Sequence, residues 1–422
     1  SAQVNRLHAI LDVSVVVLHA VGFAVVRDDL AVKPLAAKCG AERRGAVQAA
    51  HAPRKPVAQS LGLDLLSHFT EQERDLLTLP SGGFSNQSMG GLLRDLRAGL
   101  AQSSLGQWRA LQRWSRQGGS VLAVGDLLPL ALAWASGLSY GFIGTPKSDY
   151  TWRSGPGKDC PADGYHRLKG SEWDPWEWAL MARPRCRLVT CRDPLTARGL
   201  RRHGVRALAP GNPMMDGFCK QPLPAPLQGR ERLLVLPGSR SPEAQGNLVR
   251  LLQAAAPGPA ERLLLLACGS SPDDSSLAGL LSGLDYRPAS IPSGSGAQGA
   301  WQGPAGTLLL GRGCFERWAS WAELGLACAG TATEQLVGLG IPALSLPGAG
   351  PQFKASFARR QSRLLGGAVQ VCPTAEALRR GIKLLLAEPA MRHQLGTIGQ
   401  QRMGPAGGSA ATAAWINREL LG

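Results

Sequence analysis

An α/β protein built on parallel sheet is what this sequence predicts, on three observations. Over the second half, short apolar runs of buried-strand type alternate with segments of helical periodicity, the pattern that puts parallel strands under helices on both faces. The chain has 422 residues and is 44% apolar, enough for two or three domains with cores of their own and too apolar for disorder throughout. Its 53 glycines and 30 prolines follow no Gly-X-Y period, so they mark many connecting turns and exclude a collagen-like fibre.

Residues 1–78 resist assignment. Four of the seven histidines (His8, His19, His51, His68) fall there, and 33–54 carries neither helical nor strand period. The apolar stretch 13–26 is about 14 residues against the roughly 20 that span a bilayer, and no signal-peptide pattern stands out. From Leu79 the texture changes. Pro80-Ser81-Gly82-Gly83 reads as a loop, and 92–114 has Leu92, Leu93, Leu96 and Leu100 at helical spacing. Strands are expected at 121–125, 139–143, 186–190 and 205–208, with a helix over 194–202 whose Pro194 sits in the first turn. Three prolines in 220–229 mark a linker. Beyond it, strands at 232–236, 262–267, 306–310, 326–329 and 341–346 alternate with helices near Glu243, Phe315, Thr331, Gln352 and Thr374. The Pro-, Ser- and Gly-rich 287–303 reads as a surface loop.

Lys and Arg number 46 against 30 Asp and Glu, a net charge of +16, which attracts phosphate-bearing partners: nucleic acid, anionic lipid or nucleotides. The stretch 183–206 holds eight arginines, one acid (Asp193) and no Phe, Tyr or Trp. A nucleic-acid surface would interleave stacking aromatics, so no nucleic-acid partner is expected and an anionic membrane face fits better. Nine scattered cysteines without a CxxC or histidines at zinc spacing predict no structural metal and a reducing compartment. Trp173, Trp176 and Trp178 read as core.

Four turns concentrate polar chemistry. Leu236-Pro237-Gly238-Ser239-Arg240 links a strand to a helix, where amides, a hydroxyl and a guanidinium can converge on phosphate; equally it can be a plain βα turn with a solvated Arg. It lacks Gly-x-Gly-x-x-Gly, and the chain has no P-loop. Gly330-Thr331-Ala332-Thr333-Glu334-Gln335 can be a capping box of Thr331 and Glu334, or can set Glu334 beside ribose hydroxyls. Asp126 ends a strand in Val124-Gly125-Asp126 and can cap the next helix or serve as a general base. Gly144-Thr145-Pro146-Lys147-Ser148-Asp149-Tyr150 carries more polar function than a turn needs.

Those four segments, with Pro80-Ser81-Gly82-Gly83-Phe84, Gly211-Asn212-Pro213-Met214-Met215-Asp216 and Gly350-Pro351-Gln352-Phe353, resemble, in order from about residue 79 to the end, the lipid-A-disaccharide-synthase-related family. The resemblance implies a GT-B-like α/β fold: two Rossmann-like domains with mostly parallel sheets facing across a cleft. It divides the chain into an acceptor-side domain over 79–219, a linker over 220–230, a nucleotide-sugar domain over 231–404, and a terminal helix over 405–422 that returns to the first domain. It also implies transfer of a sugar from a nucleotide-diphosphate sugar, UDP-linked, to a lipid-linked or saccharide acceptor, with neither cofactor nor metal. Asp126 falls at the catalytic position. Gly238, Ser239, Arg240, Gly330, Thr331, Thr333, Glu334, Gln335 and Gln352 fall on the donor side, and Lys147, Ser148 and Asp149 on the acceptor side. Such a protein would be cytoplasmic and peripheral on the inner membrane face. The family opens with a strand and a Ser-Asn-Gly-His-Gly-Glu-Asp type loop that has no counterpart in 1–78. A copy that binds nucleotide or anionic lipid without turnover, and a sugar-nucleotide 2-epimerase of the same fold, are the alternatives.

Overall fold

The computed structural model describes residues 15–19, 22–25, 100–116, 118–153, 163–239, 243–269, 272–348 and 354–421. The Pro80–Phe84 and Gly350–Phe353 motifs lie outside them, as do Arg240 and Gln352. Among the described residues, fourteen strands form two sheets. β1 (Val15–His19), β2 (Gly22–Val25), β3 (Ser120–Val124), β4 (Ser139–Gly144), β5 (Cys186–Cys191) and β6 (Ala207–Leu208) make the first, in the order β2-β1-β3-β4-β5-β6. All its pairings are parallel except the β1–β2 hairpin. The second contains β7 (Arg232–Leu236), β8 (Leu263–Cys268), β9 (Arg287–Pro288), β10 (Gly299–Gly303), β11 (Gly306–Arg312), β12 (Leu324–Ala327), β13 (Ala343–Ser345) and β14 (Val369–Val371). Its order is β14-β13-β12-β7-β8-β11-β10-β9, parallel from β14 through β11 and antiparallel at the β10 and β9 edge.

The central strands are continuous apolar runs because both of their faces are covered. Leu233, Val235, Leu264 and Leu266 enter one core, while Leu234, Leu236, Leu263 and Leu265 enter another across the sheet. Each such leucine, fully buried, contributes about 1.5–3 kcal/mol. The α/β class with parallel sheets read from the sequence is the one observed. Two local readings differ. The loop expected over 287–303 contains β9 and β10, since the exposed backbone edge of β11 supplies pairing that the local composition does not announce. The unassigned N-terminal segment supplies β1, which runs parallel to β3, so the first sheet draws on residues before 79.

On one face of the first sheet, Val121, Ala123, Phe142 and Val189 pack with Trp173, whose ring meets Phe142 edge-on at 5.5 Å. Of the tryptophans read as core, Trp173 is fully buried, Trp178 stacks on His203 at 3.7 Å, and Trp176 is instead 54% exposed because its helix, Pro175–Met181, turns that position outward. The opposite face (Leu122, Val124, Ile143, Leu188) is covered by Ala413, Ile416 and Leu420 at the end of the chain. Ser120 Oγ donates to the Leu420 carbonyl at 3.0 Å.

The helix Gly408–Ile416 that makes this return is held at its start by Asp216, whose carboxylate accepts from the amides of Gly407 and Ser409, the latter at 2.7 Å. A Cβ on Gly408 would stand 2.6 Å from the Asn212 backbone, so the crossing is open only to glycine. Replacing Asp216 with Ala orphans two helix-end amides. The expected cost is about 1–2 kcal/mol in urea unfolding, with 408–421 losing hydrogen-exchange protection before the second sheet does.

Candidate functional site

In the second sheet the chain steps outward from β7 to β8 and β11, then returns to lay β12 on the other side of β7. Connections leave β7 and β12 in opposite directions, which opens a crevice at their carboxyl ends, the topological switch point where open α/β sheets bind ligands. Two sequence motifs meet there. After β7, Gly238 takes a positive φ of +103° and exposes Ser239, while the buried Asn247 donates to the Pro237 carbonyl at 3.2 Å and pins the turn. After β12, Gln361 donates to the carbonyls of Ala329 and Gly330 at 3.3 and 3.1 Å, and Thr333 Oγ1 donates to Ala329 at 2.7 Å. With these carbonyls tied, the helix Thr331–Gly338 presents its first amides and its positive dipole end to the crevice.

The expected capping box does not form. Gly330 is the N-cap, Thr331 is already the first helical residue, and no side chain caps the helix. Glu334 is drawn elsewhere: its Oε2 accepts from the guanidinium of the buried Arg192 at 2.8 Å. Gln335 spends its amide on the Met214 carbonyl at 3.0 Å. Arg192 follows the carboxyl end of β5, so this ion pair sets the carboxyl edges of the two sheets against each other, two Rossmann-like units in a GT-B-like arrangement. Around it, Arg360 pairs with Glu172, Arg363 with Asp163, and Arg402 lies 3.9 Å over the Tyr150 ring.

The first sheet contributes Asp126 to the same edge. It follows β3 in extended conformation (φ −121°, ψ −157°) as N-cap of the helix Leu127–Ala135, yet makes no side-chain cap hydrogen bond. The common use of such an Asp is therefore not the one seen.

The polar turn after β4 departs from the acceptor-side reading. Ser148 and Asp149 are buried, Ser148 donating to Asp193 at 2.7 Å. Asp193 also accepts from the amide and hydroxyl of Thr196, both at 2.8 Å, which caps the helix Pro194–Arg201. Asp149 Oδ1 accepts from the Glu172 amide at 2.7 Å and from Trp152 Nε1 at 3.4 Å, while Oδ2 has no partner. Burial pushes its carboxyl up to about 6. Lys147 is bound by Glu177, with Asp174 3.7 Å away. Ser148 and Asp149 are thus part of the wall beneath the edge, while Lys147 stays partly exposed.

Sequence reasoning missed Arg192, Asn247 and Gln361, and quoted Asp216 in a motif without giving it a role. Asn247 and Gln361 left a signal: each is a polar residue on the buried side of its helix, where a side-chain amide needs backbone partners. Among the described residues no group of three His, Cys, Asp or Glu side chains could hold a metal ion. A hollow of about 380 Å³ flanks the site beyond the end of β11, lined by Cys219, Gln221, Cys314 and Arg317.

No protein-family model matches the chain, and no curated protein sequence matches it. Among solved structures it is similar to UDP-GlcNAc 2-epimerase from Neisseria meningitidis bound to UDP-GlcNAc, at 13% identity over 78% of this chain and 82% of that one, TM-score 0.43. It is likewise similar to MurG of Acinetobacter baumannii, at 13% identity over 76% and 79%, TM-score 0.43. A third is the glycosyltransferase SnogD from Streptomyces nogalater, at 13% identity over 81% of each chain, TM-score 0.40. The likeness is one of fold, and the α/β architecture rests on the strand topology of the chain itself.

Proposed function

We propose that the protein transfers a sugar from a nucleotide-diphosphate sugar, UDP-linked, to a lipid-linked or saccharide acceptor, as its resemblance to the lipid-A-disaccharide-synthase-related family implies. The observation that carries the reading is the switch-point crevice of the second sheet opening toward a first-sheet edge that bears Asp126. The amides that start the helix Thr331–Gly338, with Ser239 and the neighbouring Arg240, hold the diphosphate and neutralise the charge that develops as it leaves. Gly238 and Gly330 let the backbone approach it. Glu334 accepts from the ribose hydroxyls once Arg192 gives way, and the resemblance assigns Gln352 to the donor sugar. Thr331 lies exposed at the opening, whereas Thr333 and Gln335 shape the helix start. Asp126 removes the proton from the attacking hydroxyl. Charge on the diphosphate is met by amides and guanidinium, with no metal required.

The test is thermal stabilisation by UDP, TDP and GDP, followed by product analysis with the corresponding sugars. Nucleotide at a hundred times Kd stabilises by about 2.7 kcal/mol. UDP is expected to do so, and Arg192→Ala, which frees Glu334, is expected to strengthen UDP binding relative to uracil-free diphosphate. Stabilisation by none of the nucleotides would overturn the reading. Sugar found on a second molecule supports transfer; an epimerised donor with no transfer would replace it with 2-epimerase chemistry, and binding without turnover with a binding protein.

A further inference from the structure

Seven of the nine cysteines lie among the described residues, and none of these is in a disulfide. Cys186, Cys191, Cys268, Cys328 and Cys372 are buried, where a thiol behaves as a small apolar side chain. Cys219 is exposed and Cys314 half-buried. These two, the accessible cysteines among the described residues, line the same hollow of about 380 Å³ although 95 positions separate them. Their chain neighbours touch: the Phe218 and Phe315 rings meet edge-on with centroids 6.1 Å apart. Two residues beyond Cys219, Gln221 is fastened to the same wall, its amide donating to Ser320 Oγ at 3.4 Å and its carbonyl accepting from Trp321 Nε1 at 3.1 Å. Cys314 Sγ donates to the Gly296 carbonyl at 3.3 Å, and a Cβ on Gly296 would stand 2.3 Å from Arg317 Nη1, so a guanidinium lies beside that thiol.

We infer that Cys219 and Cys314 are a redox pair, which a hydroperoxide oxidises to a disulfide across the hollow and a small thiol reduces again. Exposure makes Cys219 the first to react. Its thiolate attacks one peroxide oxygen, the O–O bond breaks, and Cys219 becomes a sulfenic acid; the other oxygen leaves as alkoxide or hydroxide and takes up the proton that Cys219 gave away. Cys314 then attacks the Cys219 sulfur. The S–S bond forms, the S–O bond breaks, and the departing hydroxide takes the Cys314 proton and leaves as water. Two thiols are oxidised and one hydroperoxide is reduced; two molecules of a small thiol reverse the change by exchange and leave as their own disulfide. Burial pushes the Cys314 thiol up, with Arg317 opposing, so it stays protonated while Cys219 meets the oxidant.

The bridge has a mechanical consequence. Cys219 follows the turn Pro213–Met215, whose Met214 carbonyl accepts from Gln335 of the helix Thr331–Gly338, and Cys314 follows β11 at the carboxyl edge of the second sheet. Oxidation therefore ties the segment that leads into the second unit covalently to that edge. In a reducing compartment a pair of this kind rests as thiols and bridges only when oxidant rises. The inference is independent of the transfer reading and is measured with no nucleotide present.

The experiment treats the reduced full chain with hydrogen peroxide, removes the excess and maps its peptides by mass spectrometry without reduction. A peptide pair joining Cys219 to Cys314 within one chain is expected, and dithiothreitol should undo it. Because the bridge constrains the unfolded chain over 95 positions, the melting temperature should rise by on the order of 5 °C and fall back on reduction. Cys314→Ser is expected to stop at the Cys219 sulfenic acid, which dimedone captures in place of the cross-link, and Cys219→Ser to show no peroxide-dependent rise in melting temperature. An unchanged melting temperature of each reduced variant certifies the fold, and the map of the parent decides the matter without them. Lasting sulfenic acid at Cys219 of the parent, a bridge from Cys219 to Cys39, Cys160 or a second chain, or a map with both thiols untouched would each overturn the inference.

Discussion

Asp126→Asn is expected to lower sugar transfer by about 10²–10⁴-fold while nucleoside diphosphate binding stays intact. The size follows from the role. A positioned carboxylate lowers the barrier by accepting the acceptor's proton as the new bond forms, and an amide of the same shape cannot. The separation of effects follows from the fold, since Asp126 follows β3 of the first sheet whereas the nucleotide is assigned to the crevice between β7 and β12 of the second. Steady-state transfer rates beside thermal shifts with UDP read both. Full turnover by the variant would remove Asp126 from the chemistry, and loss of UDP stabilisation would show that the residue supports the donor side instead.

The second large effect concerns Asp149 and the pH dependence of stability. Its carboxyl is held up at about 6, against an ordinary 3.8, chiefly by burial, with Asp193 adding repulsion and the Glu172 amide and Trp152 opposing. Between those two values the folded chain binds a proton that the unfolded chain has released. Stability therefore falls as pH rises through this window: below about 4 the group costs nothing, and above about 6 the ionised carboxylate costs on the order of 3 kcal/mol. Asn keeps an acceptor for the Glu172 amide and removes the charge. Asp149→Asn should thus exceed the parent by about 1–3 kcal/mol at pH 7.5 and equal it at pH 4. Urea unfolding at both pH values decides the matter, and an equal advantage at both, or destabilisation at pH 7.5, would mean that Asp149 stays ionised without penalty.

What could be read in the sequence follows physical locality. The leucine runs of β7 and β8 are legible because strands buried on both faces must be apolar at every position. β10 is not legible, because its identity lies in its partners: Trp301 pairs with Leu308, and the glycines that blur the pattern are required by rings lying flat on the strand. A Cβ at Gly299 would stand 2.4 Å from the ring of Trp301, and one at Gly303 2.4 Å from that of Tyr286. The same limit governs the site. Ser239, Gly330 and Asp126 are found by their place after apolar strands, since strand ends are local. That Arg192 holds Glu334 is invisible, as 142 residues separate them and an Arg among seven others in 183–206 looks solvated. Ser148 and Asp149 mislead for the converse reason. Polar density after a strand marks an opening only when the donors point outward, and here Thr196, Trp152 and the Glu172 amide turn them in.

The return of the last helix to the first sheet also has a meaning in time. Ser120 and Leu420 are bonded across 300 positions, and the apolar face formed by Leu122, Val124, Ile143 and Leu188 is closed by Ala413, Ile416 and Leu420. A ribosome adding about 5–20 residues per second needs roughly 15–60 s to travel that distance. Throughout that interval the nascent first unit has its strands but not its cover, so translation leaves a greasy surface bare until residues 413–420 have been added. Of the two units, the one made earlier is the one finished later.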